Sequence, residues 1–370
     1  MKTWISTAVA FLWVGLFATS SFAGTPFDRM DANNDGKVTR SEYKGSKWIY
    51  VDTHNHLVGR RVRGRLNLEP AARIALENMD ATGVKLNLIL PMPQTVQQKD
   101  PLLAEDLFPV AREYPGRFAV LGGGGTLNVM IQQAIREGRV TKAMEKAFDA
   151  RAEELVREGV VGFGEMATEH FSMSQDHPYE TAPSDHPLFL RLADLAAKYG
   201  LPVDIHMEAI PEEMPMPSRF HSPPNPKTLK PNIAAFCRLL AHNRKAKILW
   251  VHLGWDNTGK RTVALTRKIL AENPNLYMSI RIASGMRERK AAPRTFPLDR
   301  EGRLKPQWLA LFQEFPDRFV LGSDEIIKPS NDHPSAGSIR TTVGILEQLP
   351  EALRKQIGYQ NTYHIYKLGK

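Results

Sequence analysis

The chain has 370 residues, 42% hydrophobic and 24% charged, with a formal net charge of +9, an ordinary globular balance and enough length for one large core or two smaller ones. Cys237 is the only cysteine, which excludes an intramolecular disulfide. The basic residues are dispersed, with Arg60, Arg61, Arg63 and Arg65 in one group, Lys227 and Lys230 in another and Arg287, Arg289 and Lys290 in a third; no basic stripe interleaved with aromatics is present, so a nucleic-acid partner is not expected and an anionic small molecule is.

The first element reads as a leader. Lys2 supplies positive charge, Ile5 to Phe17 is apolar, and Ser21-Phe22-Ala23 offers small residues at the cleavage positions. This pattern predicts a signal peptide over 1–23 and a periplasmic or secreted mature chain. The apolar run is short against the ~20 residues of a membrane span, so a stable anchor is not expected.

Asp31 to Glu42 reads D-A-N-N-D-G-K-V-T-R-S-E, a full match to the EF-hand calcium loop. Asp31, Asn33 and Asp35 take the first, third and fifth ligand positions, Lys37 offers its carbonyl, and Glu42 is the bidentate last ligand. Gly36 permits the sharp turn and Val38 pins the loop. An acidic Asx/Gly turn is the simpler alternative. The segment 24–46 is therefore expected to hold one structural Ca2+, ahead of a main domain over 47–370.

From Trp48 onward, strand-like runs alternate with amphipathic stretches. The expected strands are Ile49–Asp52, Lys85–Leu90, Phe118–Gly122, Val160–Met166, Pro202–Met207, Lys247–His252, Leu276–Arg281 and Arg318–Ser323. The expected helices are Leu68–Thr82, Ala104–Tyr114, Asn128–Glu158, Asp185–Tyr199, Pro231–Asn243, Thr262–Glu272, Pro306–Glu314 and Gly337–Leu349, the fourth with Asp185 as N-cap. Such alternation argues for α/β architecture with a parallel sheet, and the strand count for a (β/α)8 TIM barrel. No Gly-x-Gly-x-x-Gly follows the first strand, which weakens a nucleotide-binding reading. Two Pro-rich loops, Ala167–Pro187 and Ala209–Pro231, follow the fourth and fifth strands and are candidate pocket walls.

The chemistry-bearing residues cluster at the strand ends. His54 and His56 in V-D-T-H-N-H-L lie two apart, so a strand projects both to one side. Glu165 ends the fourth strand, His206 the fifth, His252 the sixth and Asp324 the eighth. On a barrel all six reach the C-terminal face, where imidazoles and carboxylates suit Zn2+, with Fe2+ or Mn2+ as alternatives. Glu165 reads equally as a metal ligand, an ion-pair partner or a substrate contact. Arg281 reads as a bidentate clamp on a substrate carboxylate or phosphate, or as an ion pair with Glu165, Glu208 or Asp324. Asp52 orients a ligand or caps its strand. Gly122–Gly125 is a plain turn or an anion cradle, and His170, His177 and His186 are expected to be loop residues.

The motifs D-T-H-N-H-L, I-H-M-E, V-H-L-G and G-S-D-E, in that order from Lys47 to the C-terminus, resemble the amidohydrolase superfamily. The resemblance implies metal ligation by His54, His56, His206 and Asp324, with His252 as a second-metal ligand or an acid/base. It also implies one metal, or two if Glu165 bridges. The expected activity is hydrolysis of an ester, lactone, amide or phosphoester by metal-bound hydroxide, with Asp324 and His252 catalytic. The alternatives are a metal-dependent non-oxidative decarboxylase of an aromatic or enoic acid, and an inactive barrel serving as a calcium-dependent binding module. A homo-oligomer is compatible with all of them.

Overall fold

A computed structural model describes residues 50–62, 65–98, 100–174, 177–221, 224–283, 295–329 and 337–368. The expected leader and the calcium loop with Asp31, Asn33, Asp35, Lys37 and Glu42 lie outside the described residues. Among the described residues, no helix is long and apolar enough to cross a membrane.

Strand β1 (Tyr50–Leu57) is buried along its whole length, as expected of a strand covered on both faces. It is followed by β2 (Val84–Ile89), β3 (Phe118–Gly123), β4 (Gly162–His170), β5 (Pro202–Met207), β6 (Lys247–Leu253) and β7 (Leu276–Ile280). The eighth strand is broken into β8 (Phe319–Leu321) and β9 (Glu325–Ile327). The sheet order is β8-β7-β6-β5-β4-β3-β2-β1-β9, with every pairing parallel. The broken strand serves both edges, because Phe319 pairs with Met278 of β7 and Glu325 with Asn55 of β1. Thr53 Oγ1 donates to Leu321 O at 2.8 Å and Asp324 N to His54 O at 2.8 Å, tying the break to β1. Gly322 is required at this seam: a Cβ there would lie 2.7 Å from Ser279 Cβ and 3.0 Å from Thr53 Oγ1. The architecture is α/β with a barrel-like parallel sheet, consistent with the expected (β/α)8 class.

The helices carry their own signals. The helix Pro187–Tyr199 has proline at its first position and ends on Gly200 at φ 69°; it buries Leu188, Phe189, Leu192, Ala193, Leu195 and Ala196 along one face. Its N-cap is His186, whose Nδ1 accepts from Leu188 N, rather than the expected Asp185. The single helix expected over Asn128–Glu158 is two, Leu127–Glu137 and Lys142–Glu158. Gly138 turns left-handed at φ 64°, and Thr141 caps the second helix by accepting from Met144 N. Strand β4 runs on to His170, past the expected end at Met166, because Glu169 and His170 pair antiparallel with Glu180 and Thr181. Glu165 therefore lies within a strand, not at its end.

The main core lies between the sheet and the helices. A second cluster of Val51, Leu86, Leu88, Leu121, Leu249, Val251 and Val320 packs on Ile365 and Tyr366 of the last helix, Asn361–Tyr366. That helix forms a floor beneath the strand residues that carry the polar cluster.

Candidate metal centre

His54 and His56 project from one side of β1, and the groups behind them set their tautomers. His56 Nδ1 lies 2.9 Å from Leu90 O, which can only accept, so Nδ1 carries a proton and Nε2 is the nitrogen turned toward the cluster as the one that could ligate a metal. His54 Nδ1 lies 3.3 Å from Asp204 Oδ2, with the same consequence. Asp204 is itself held by Tyr366 Oη, which donates to Oδ1 at 3.0 Å. A carboxylate or carbonyl behind an imidazole is the usual support of a metal-binding histidine.

Glu165 stands at the centre of the cluster, where the β4–β5 register shifts between Phe163 and Met166. Its Oε2 is 3.4 Å from both His54 Nε2 and His56 Nε2. Its Oε1 is 2.7 Å from His206 Nδ1 on β5 and 2.9 Å from His252 Nε2 on β6. Asp324 Oδ1 lies 3.2 Å from His56 Nε2, and Oδ2 lies 3.8 Å from His252 Nδ1. His252 and Asp324 both adopt left-handed backbone, at φ 66° and 52°, the kind of local strain that gathers at functional sites. All six predicted residues are thus brought together.

The residues fit a metal. Their donor atoms form three overlapping sets, His54/His56/Glu165, Glu165/His206/His252 and His54/His252/Asp324, each within 4.8 Å. His54 Nε2 and His252 Nδ1 are buried without a hydrogen-bond partner, which is costly unless something else satisfies them.

The clustered imidazoles and carboxylates shift one another's proton affinities. Burial favours neutral His54, yet Glu165 and the hydrogen bond to Asp204 raise its pKa to about 10. Burial also resists ionisation of Glu165, but His54 and the bonds from His206 and His252 hold it well below the ordinary range. Burial lowers His252 to about 3 against the pull of Asp324 and Glu165. Asp324 is pressed upward by burial and held down more strongly by Arg281 and His252.

A cavity of about 390 Å³ opens over the cluster, lined by His56, Glu165, His206 and Asp324. Met92, Phe171 and Trp255 give it apolar walls, and Gln94, Asn257, Glu208 and Arg281 polar ones. Arg281 pairs with Asp324, Nε to Oδ2 at 3.0 Å, and its guanidinium stacks 4.1 Å over Trp255. His170 and His177 also line the cavity, with His170 edge-on to His206 at 4.3 Å between centroids; the sequence pattern predicts both as loop residues, whereas His170 ends strand β4. His186 instead caps a helix. Gly124 and Gly125 allow close chain passage, since a Cβ on either would lie 2.4 Å from Pro91 O or 2.2 Å from Leu102 O. The turn reading of Gly122–Gly125 accounts for them.

Asp204, Tyr366 and Ser279, whose Oγ accepts from His252 N at 3.2 Å, were not anticipated. A signal for Asp204 existed, because D-I-H at 204–206 repeats the D-T-H of 52–54. Asp52 works in the same layer, accepting from Ser323 N at 2.8 Å and from His54 N at 3.3 Å.

A family model described as amidohydrolase matches residues 51–368. No curated protein matches the chain. Similar solved structures include a dihydroxybenzoic acid decarboxylase from Polaromonas sp. JS666 with bound manganese and the inhibitor 2-nitroresorcinol, at 15% identity over 87% of this chain and 97% of that one, TM-score 0.49. A probable 2-pyrone-4,6-dicarboxylic acid hydrolase from Acinetobacter baumannii with citric acid bound is 14% identical over 86% and 99%, TM-score 0.46. An amidohydrolase from Burkholderia multivorans with bound zinc is 16% identical over 87% and 100%, TM-score 0.44.

Proposed function

The chain belongs to the amidohydrolase family, and on that premise we propose that it is an exported metal-dependent hydrolase of an ester, lactone, amide or phosphoester, in which His54, His56, Glu165, His206 and His252 would hold two ions. One observation carries the reading. The two oxygens of a single carboxylate face separate imidazole pairs, Oε2 toward His54 and His56 and Oε1 toward His206 and His252. Each half is a nitrogen–oxygen donor set of the kind that takes Zn2+, Fe2+ or Mn2+.

When bound, the metal supplies Lewis acidity toward the scissile carbonyl or phosphoryl oxygen and acidifies the attacking water. The protein's own groups do the rest. Asp324 accepts the proton of the water at a carboxylate oxygen and returns it to the leaving group. Arg281 keeps Asp324 ionised and fixes its orientation. Met92, Phe171 and Trp255 exclude bulk water. Export, and Ca2+ held by Asp31, Asn33, Asp35, Lys37 and Glu42, belong to the same reading and rest on the sequence pattern alone.

The test is metal counting with a substrate panel. Purified protein is expected to hold two transition-metal ions per chain besides Ca2+, and to hydrolyse at least one member of an ester, lactone, amide and phosphoester panel. Activity is expected to vanish in His54→Ala/His56→Ala. Retained activity in that variant, or protein free of transition metal yet active, overturns the reading. The apolar walls also suit a flat ring and favour, as a second reading, decarboxylation of an aromatic or enoic acid. CO2 release with one ion per chain and no hydrolysis selects that alternative.

A further inference from the structure

The cavity over the metal centre has a neighbour. A second cavity of about 460 Å³ adjoins it, and Gln98, His177 and Pro178 line both. Charge divides sharply between the two. Among the described residues, the inner cavity carries the carboxylates Glu165, Glu208 and Asp324 and one cation, Arg281. That cation is already committed, to Asp324 at 3.0 Å and to the Trp255 face at 4.1 Å. An anionic tail in the inner cavity therefore finds no free cationic side chain.

The outer cavity is the reverse. Arg136 is the one formally charged group among its described lining residues. It lies in the last turn of the helix Leu127–Glu137 and forms no ion pair among the described residues; its neighbour Glu137 is taken by Gln133 Nε2 at 2.8 Å. The groups around Arg136 are neutral donors and acceptors such as Gln132 and Thr181. An exposed guanidinium without an ion-pair partner among the described residues, on a polar cavity wall, matches a carboxylate by charge and by its forked geometry.

We propose that the substrate spans both cavities, with its scissile group at the metal centre and a carboxylate tail crossing the Gln98–His177–Pro178 sill to Arg136. This rests on the hydrolytic reading above and narrows it: the substrate class is an ester, lactone or amide with the carboxylate tail on its acyl part, so that hydrolysis leaves one product with two acidic ends. The anionic character expected from the overall charge thus resides at Arg136 and not at Arg281.

The test uses metal-loaded full-length protein and straight-chain α,ω-dicarboxylates of increasing length, each compared by calorimetry with the monocarboxylate of the same length. Dicarboxylates long enough to reach Arg136 are expected to bind about fivefold more tightly than their monocarboxylate partners, the scale of one partly exposed charge-assisted pair. Arg136→Ala is expected to abolish the difference, Arg136→Lys to retain part of it, and neither to change monocarboxylate affinity or melting temperature. Equal binding of the two series by the wild type, or an advantage that survives Arg136→Ala, overturns the inference. An Arg136-dependent advantage without turnover of any panel substrate leaves the carboxylate subsite at Arg136 standing and removes the hydrolytic reading together with the substrate class. Turnover without that advantage does the opposite.

Discussion

Asp204→Asn is the sharpest test of how the metal centre is built. Asp204 is fully buried, takes His54 Nδ1 on one oxygen at 3.3 Å and the Tyr366 hydroxyl on the other at 3.0 Å. The substitution conserves volume and removes the charge in either amide orientation. With the amide nitrogen toward His54, the imidazole must accept at Nδ1 and carry its proton on Nε2, the atom that faces Glu165. Removing the carboxylate also weakens proton binding at His54, which relieves some competition. A divalent ion gains more from a nearby anion than a proton does, so the metal loses more. Losses of support behind a ligand typically cost ~10–100-fold in metal affinity, or ~1.4–2.7 kcal/mol. The assay is Zn2+ titration of the metal-free variant against a fluorescent chelator at neutral pH, with thermal melting as the folding control. An unchanged Kd in a variant with native melting behaviour would refute the tautomer argument.

The remaining predictions follow from the same geometry. Because metal-free His54 has its pKa raised from 6.5 to about 10, ion loading expels a proton at neutral pH. Apparent metal affinity should climb with pH by about tenfold per unit for each proton released, a slope that calorimetry in buffers of different ionisation enthalpy reads directly; a flat profile between pH 6.5 and 8 contradicts it. That proton also stabilises the metal-free fold, fully below pH 6.5 and decreasingly as pH rises toward 10. Glu169, which burial raises to about 7 against hydrogen bonds from Tyr179 and Thr181, binds its proton more tightly folded than unfolded. The fold should lose stability as pH rises from 4.5 to 7, and Glu169→Gln should flatten that part of the melting-temperature profile. Glu165→Gln retains one donor oxygen, so metal content by mass spectrometry should fall from two ions toward one and turnover should be lost. Gly254→Ala forces a side chain onto backbone at φ 104°, with its Cβ 2.3 Å from Arg281 O. A destabilisation of about 2–4 kcal/mol in urea unfolding is expected, and a loss below about 1 kcal/mol would show that the chain relaxes around it.

The sequence by itself determined the period of the fold and the kinds of ligand. Alternating apolar runs and amphipathic stretches are local signals, so the eight main strands could be located to within a few residues. The spacing of His54 and His56 already dictated a shared side of one strand. His206 followed the same rule, two residues after Asp204. Local pattern failed where the chain breaks its own regularity. Strand alternation cannot orient Glu165, His252 or Asp324, because the register shifts between Phe163 and Met166 and between Trp250 and Leu253, and because His252 and Asp324 turn left-handed. Those irregularities are maintained by contacts across the sheet, such as Ser279 Oγ on His252 N and His54 O on Asp324 N. The support of His54 likewise comes from Asp204 and Tyr366, 150 and 312 positions away in sequence. Residue type pointed to a transition metal, but only tertiary structure could divide Glu165 between two imidazole pairs, commit Arg281 to Asp324, and set Arg136 on the outer cavity without an ion-pair partner among the described residues.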